Sequence, residues 1–251
     1  MLSGKSTQAI ANLARYPPVQ DKYEAPKRSA ILVVLLANDQ GGLEVLLTLR
    51  SPKLRTNAGE AACPGGKMDP EDSDLIATAL REAHEEVGLD PSECEILTIL
   101  TPTLSRHLLV VTPVVCFCPN MTTKDIQRLC PNPGEVSVIF TVPLETFIRP
   151  AEGTYDFFDV NWLNSIHRMH RFGGCGGHNF LLEADYTVDD PAEHRGWSVF
   201  GMTAEVMVDV ARIGYKTEPT FERCAPGQVD DPDLMALWYN KNQPYTGRQR
   251  L

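Results

Sequence analysis

Ser73-Asp74-Leu75-Ile76-Ala77-Thr78-Ala79-Leu80-Arg81-Glu82-Ala83-His84-Glu85-Glu86-Val87-Gly88 is the stretch on which the fold turns. Leu75, Ile76, Ala79, Leu80, Ala83 and Val87 recur at spacings of three and four, the pattern of one apolar helix face. The spacing predicts an amphipathic helix from about Ser73 to Val87, capped by Asp72 or Ser73 and stopped by Gly88. Glu82, Glu85 and Glu86 stand at i, i+3 and i+4, so their carboxylates are neighbours on one side of that helix. Three like charges there repel. Either water solvates them as an ordinary acidic surface, or a hard divalent cation, Mg²⁺ or Mn²⁺, lies among their oxygens. The glutamates alone leave both readings open.

The flanks narrow the choice. Pro64-Gly65-Gly66-Lys67 reads as a glycine-rich turn that brings backbone close to the acids and can offer the Gly66 carbonyl as a further ligand. Arg81 can brace one carboxylate or the preceding loop. His84 points away from the centre of the acids and reads as structural.

Working outward, Ala30 to Leu36 and Leu43 to Arg50 are apolar runs of strand length around the turn cluster Asn38-Asp39-Gln40-Gly41-Gly42, and read as a hairpin. Glu95 to Leu100, Leu108 to Cys118 and Val136 to Val142 read as strands, Leu144 to Phe147 as a short helix, and Thr203 to Ile213 as a longer one. Ile10 and Leu13 suit an N-terminal helix that ends before Pro17-Pro18. Gly173 to Gly177 and Asp185 to Arg195 read as irregular, which makes His167, His170 and His178 loop histidines. Strands and helices mix without a regular βα repeat, so the fold class is α/β. The expected division is an N-terminal helix and linker (1–28), one domain (29–215) with an irregular insertion at about 155–195, and a C-terminal extension (216–251).

A chain of 251 residues with 43% apolar content can bury a sizeable core. Its formal charge of −10, with no Lys/Arg run, argues against a nucleic-acid partner. A small anion escorted by metal remains compatible. No stretch approaches a membrane span and no secretory signal is visible. The seven cysteines are odd in number and scattered, without a CxxC pair, and read as reduced in an intracellular compartment, with Cys116 and Cys118 as small core residues on one side of a strand.

Arg81 to Leu89 resembles the second half of the Nudix hydrolase box, R-E-U-x-E-E-x-G-U with U aliphatic; Ala83 stands as a small U. The first half departs: Gly66 lies one residue early and Ser73 occupies the slot of the first glutamate, with Asp72 or Asp74 near it. A lengthened turn of this kind is similar to that of the coenzyme A diphosphatase subgroup. Leu46-Leu47-Thr48-Leu49-Arg50-Ser51, Arg55, Gly59 and Pro64-Gly65-Gly66 match that subgroup's upstream signature in order and spacing, with Cys63 in place of a phenylalanine. Pro133-Gly134-Glu135-Val136 and Phe200-Gly201-Met202-Thr203-Ala204 extend the resemblance.

The resemblance implies a Nudix α/β/α sandwich with a mixed sheet. It also implies metal-dependent hydrolysis of coenzyme A or its thioesters to 4'-phosphopantetheine, or its acyl form, and adenosine 3',5'-bisphosphate. The implied metal ligands are Glu82, Glu85, Glu86 and the Gly66 carbonyl, with Glu82 open between ligand and water-orienting base. Glu135 is either a second base or the mere start of a strand. Arg50, Arg55 and Lys67 are either phosphate contacts or surface charges. Two rivals stand beside this reading: a Nudix hydrolase of oxidised nucleoside triphosphates or other nucleoside diphosphate derivatives, and a catalytically silent Nudix module that only binds a ligand. The ending Gln249-Arg250-Leu251 is similar to a peroxisomal tripeptide but has Gln where Ser belongs.

Overall fold

Ala30 to Leu36 is apolar at every position, so a strand built from it must be covered on both faces. In the computed structural model, which describes residues 1–19, 28–106, 109–162, 165–176, 180–182 and 196–228, this strand lies in the interior of a mixed sheet. β1 (Arg28–Ala37) pairs antiparallel with β2 (Leu43–Arg50) and parallel with β7 (Val110–Thr122). The order runs β11 (Phe180–Leu182), β8 (Val136–Pro143), β2, β1, β7, β5 (Glu95–Ile99). Short strands β3 (Ala61–Ala62), β4 (Gly65–Lys67) and β6 (Thr103–Leu104) add to β2, β1 and β7.

The period of two along β1 sorts its side chains between two cores. Ala30, Leu32, Val34 and Leu36 meet Leu75, Ala79, Ala83 and Val87 of α2 (Leu75–Val87). Ile31, Val33 and Leu35 face Ala9 and Leu13 of α1 (Gly4–Arg15) together with Ala204, Met207 and Ala211 of α3 (Gly201–Tyr215). Leu32 and Leu35 have no exposed surface, and burial of each such side chain contributes about 1.5–3 kcal/mol. The two helices of the second layer are tied together by the Asn12 amide, which donates to the Gly214 carbonyl (2.8 Å). The sheet between helices is the α/β/α sandwich expected, and no helix among the described residues is long and apolar enough to cross a membrane.

Four local readings change. Helix α2 is capped by Asp74, whose side chain accepts from the Ala77 N–H (2.8 Å), because Asp72 is engaged by Arg81 instead. The glycine-rich segment expected to be a turn is a short strand, β4, antiparallel to β1. Strand β7 begins at Val110 and continues to Thr122, beyond Cys118.

The fourth change concerns the segment read as irregular. β9 (Tyr155–Trp162) and β10 (Ser165–Cys175) form an antiparallel hairpin, joined by β12 (Trp197–Phe200) in a second sheet of order β12-β10-β9. His167 and His170 therefore lie on a strand, not in a loop. The pattern hid this because β9 is largely exposed on both faces, without apolar alternation. His178, Asp185 to Arg195 and the C-terminal tripeptide lie outside the described residues. The described start of the C-terminal extension packs back on this sheet: Phe221 stacks on Tyr155 with ring centroids 4.2 Å apart, and the Gln228 side chain accepts from the Arg168 N–H (2.7 Å).

Candidate active site

Helix α2 and strand β4 meet with no room between them. A Cβ on Gly66 would lie 2.4 Å from the Glu82 carboxyl carbon, so only glycine lets the β4 backbone come this close to the acid. The Gly65 N–H donates to Glu86 Oε2 (3.1 Å), and the Gly66 carbonyl accepts from the Ser29 hydroxyl (2.6 Å) where Gly66 pairs with Ala30 of β1. At the other end of the helix Gly88 takes φ 71° and caps it through an N–H bond to the His84 carbonyl (2.9 Å). His84 is outside the acidic group, with Nδ1 3.2 Å from the Leu89 carbonyl.

Arg81 is the organiser of the acids. Its Nε and Nη2 donate to the two carboxylate oxygens of Asp72 (2.9 Å each), Nη1 reaches Glu82 Oε1 and Glu85 Oε2 (3.1 Å each), and Nη2 also reaches the Lys67 carbonyl (3.0 Å). This fork holds the Asp72 carboxyl well below the usual carboxylate range. Asp72 thus supplies the acid that the Ser73 slot lacks, from one position earlier in the chain.

The three glutamates differ in environment. Glu85 is exposed, Glu82 is half-buried, and Glu86 is buried with only 6% of its surface accessible. Burial raises the Glu86 carboxyl to about 7, opposed by the Gly65 N–H and by Arg50, whose Nη1 lies 3.9 Å from Oε1. Burial also raises Glu82. Anionic oxygens kept partly dry invite a positive charge, and an all-oxygen donor set of carboxylates and a carbonyl suits a hard divalent ion. The residues present fit such an ion. Their oxygens do not yet converge on a point, since Arg81 draws two carboxylates and Gly65 the third.

Beside the acids opens a cleft of about 740 Å³, adjoining them through Gly65 and Gly66. Arg50 and Lys67 stand at this inner end, and the Arg50 Nε is buried without a hydrogen-bond partner. Arg55 is exposed in the loop after β2 and takes no part in the cleft wall. Arg106, which the sequence reading passed over, does; it donates to Asn57 Oδ1 (2.5 Å) and Glu60 Oε1 (3.2 Å). Leu104, Leu109, Trp162, Met169 and Met202 also line the cleft, together with Asn161, Arg168, Glu205 and Gln228. His167 also faces it, its Nε2 buried and without a hydrogen-bond partner, its pKa lowered by burial. Cys63, standing for the subgroup's phenylalanine, is buried in the wall and burial pushes its thiol up to about 12.

Glu135 sits exposed in the turn before β8. The loop carrying it is pinned to the end of α2 by the Asn132 N–H on the Glu86 carbonyl (2.9 Å) and to the end of β2 by the Ser51 N–H on the Glu135 carbonyl (2.8 Å). Its charge is near enough to help raise Glu86.

A second cluster was not legible from spacing. Cys94, Cys116 and Cys118 bring their sulfurs within 4.8 Å of one another, a juxtaposition set by strand pairing across 22 or more residues of chain.

An acidic helix behind a close-packed glycine strand, beside a cleft lined by cationic and apolar side chains, suits a diphosphate substrate. The NUDIX domain matches residues 26–166, and the chain belongs to this family of hydrolases acting on diphosphates, which generally use divalent metals. It is 37% identical over 218 residues to the mitochondrial Nudix hydrolase 15 of Arabidopsis thaliana, covering 86% of this chain and 68% of that one. To the chloroplastic Nudix hydrolase 22 of the same plant it is 36% identical, covering 78% and 58%. To the peroxisomal coenzyme A diphosphatase NUDT7 of Mus musculus it is 36% identical over 193 residues, covering 77% and 72%.

Proposed function

We propose that this chain hydrolyses the diphosphate bond of coenzyme A and its thioesters, releasing 4'-phosphopantetheine or its acyl form and adenosine 3',5'-bisphosphate. The observation that carries the reading is the lining of the cleft: Arg50 and Lys67 beside the acids, with Leu104, Leu109, Trp162, Met169 and Met202 in the wall of the same cavity. A diphosphate with a long, largely uncharged arm matches that mixture; a nucleoside triphosphate would leave the apolar side chains unused. The similarity to a peroxisomal coenzyme A diphosphatase supports the same choice.

Bound Mg²⁺ or Mn²⁺ would polarise the diphosphate and acidify the attacking water. Glu85 and Glu86 would hold the ion, with the Gly66 carbonyl as a further candidate donor. Glu82 is ligand or base: its carboxyl is half-buried and raised, as suits a group that takes a proton from water. Glu135, at the rim, is the second candidate for the base. Arg50 carries the strongest claim on phosphate, because its unpartnered Nε needs an acceptor; Lys67 and Arg106 flank it, and Arg55 reaches phosphate only if its loop folds inward. The relatives' names give mitochondrial, chloroplastic and peroxisomal locations, so an organellar site of action is part of the proposal.

The test is a panel of coenzyme A, an acyl-coenzyme A, NADH, ADP-ribose and 8-oxo-dGTP with Mg²⁺, read by product chromatography. Coenzyme A compounds should give the highest kcat/KM and yield adenosine 3',5'-bisphosphate. Faster turnover of 8-oxo-dGTP would replace the substrate assignment, and no products from any diphosphate would leave a binding module.

A further inference from the structure

Away from the cleft, the antiparallel pairing of β5 and β7 puts Glu95 opposite Phe117 and Ile96 opposite Cys116. Carried one residue further, that register sets Cys94, just ahead of β5, across from Cys118. Cys116, two residues along β7, points to the same side of the sheet. Cys116 and Cys118 are fully buried in the core under α2, whereas Cys94 is only half-buried at its edge. All three sulfurs lie within 4.8 Å of one another, and Cys94 and Cys118 are 3.8 Å apart.

These distances are those of a metal thiolate site. With zinc–sulfur bonds of about 2.3 Å, tetrahedral geometry separates neighbouring sulfurs by about 3.8 Å. We propose that Cys94, Cys116 and Cys118 form a binding site for one thiophilic metal ion, of the Zn²⁺ class, separate from the carboxylate centre on α2. Three thiolate ligands leave one position open on the half-buried side, where Asp90 and Glu93 add negative charge at the mouth. Loading exchanges protons for metal: each ligating thiol gives its proton to solvent as its S–H bond becomes S–metal, and no electron changes hands. Soft sulfur ligands discriminate against Mg²⁺, as the carboxylates of α2 favour it.

The placement gives such an ion a structural task. Residues 88–94 carry the chain away from α2, and Cys94 ends that connection. A metal shared with Cys116 and Cys118 would staple the exit of the acidic helix to β7.

The experiment uses the whole chain, phosphine-reduced and held in excess Mg²⁺ so that the carboxylates are engaged, with Cd²⁺ added as the probe. A thiolate-to-cadmium charge-transfer band should grow to a break at one equivalent, the melting temperature should rise with it, and the band should also appear when Cd²⁺ displaces preloaded Zn²⁺. Cys94→Ser should lose both signals, and Cys130→Ser, at an exposed cysteine elsewhere, should keep them. Cys118→Ala should also lose the band; if it fails to fold, Cys94→Ser at the half-buried position still decides. Absence of a band at one equivalent, or a band that survives Cys94→Ser, overturns the proposal.

Discussion

Arg81 grips Asp72 through two parallel hydrogen bonds, Nε to Oδ1 and Nη2 to Oδ2, both 2.9 Å, across nine residues of chain. The same guanidinium holds Glu82 and Glu85, so the aspartate fixes the position from which Arg81 orders the acids.

Replacing Asp72 by Asn removes one charge from that grip and frees Arg81 to lean further onto the glutamates. Loss of a supporting partner of this kind costs about 10–100-fold in metal affinity or activity. A Mg²⁺ titration of turnover should show the half-saturating concentration rising, kcat falling, or both. Because the Asp72 carboxyl is held low when folded, its stabilisation is present above about pH 4 and is lost as pH falls through its folded value. The melting-temperature gap between wild type and Asp72→Asn should therefore be constant from pH 5 to 8 and close in stronger acid.

Gly66→Ala places a methyl group 2.4 Å from the Glu82 carboxyl carbon, so the acid or the strand must shift. A displacement of about 1 Å near reacting groups can cost on the order of 100-fold in rate. Circular dichroism should remain native while kcat falls by about that factor. An alanine variant with wild-type turnover would show that Glu82 has slack and is not held in a working position.

Glu86 gives a pH signature to the metal-free protein. Its folded carboxyl is raised to about 7, above an ordinary glutamate near 4.3, so its favourable contribution is present below about pH 4.3 and lost as pH rises through about 7. In EDTA, Glu86→Gln should melt higher than wild type at pH 8, by on the order of 3 kcal/mol at most, and alike at pH 4. Mg²⁺ should raise the wild-type melting temperature more at pH 8 than at pH 5, and should not raise that of Glu86→Gln. With Glu86 as the proposed metal ligand, the same variant should lose turnover while the fold remains.

Trp162 lines the cleft and meets the ring of His167 edge-on, with centroids 5.4 Å apart. Trp162→Ala should raise KM for a medium-chain acyl-coenzyme A by about tenfold, as a lost apolar contact of 1–3 kcal/mol allows, with a smaller change for free coenzyme A. Equal effects on both substrates would move acyl recognition elsewhere.

The sequence by itself determined the parts whose physics is local. The spacing of Leu75, Ala79, Ala83 and Val87 defines a helix wherever it packs, and the i, i+3, i+4 spacing puts Glu82, Glu85 and Glu86 on one side of it. The apolar run at Ala30 to Leu36 reads as a strand, and the sandwich around it is what the family resemblance implied. The tertiary structure decided what depends on contacts between distant segments. It made a strand of Gly65 to Lys67, because β1 offers the hydrogen bonds there, and chose Asp72 over Asp74 as the acid that meets Arg81. Burial, which no spacing reveals, separated Glu86 from its exposed neighbour Glu85. Register between β5 and β7 gathered cysteines that the sequence scatters, and the β9–β10 hairpin brought Trp162 and His167 to the cleft from a segment without periodicity, since an exposed hairpin is held by pairing and not by an apolar face.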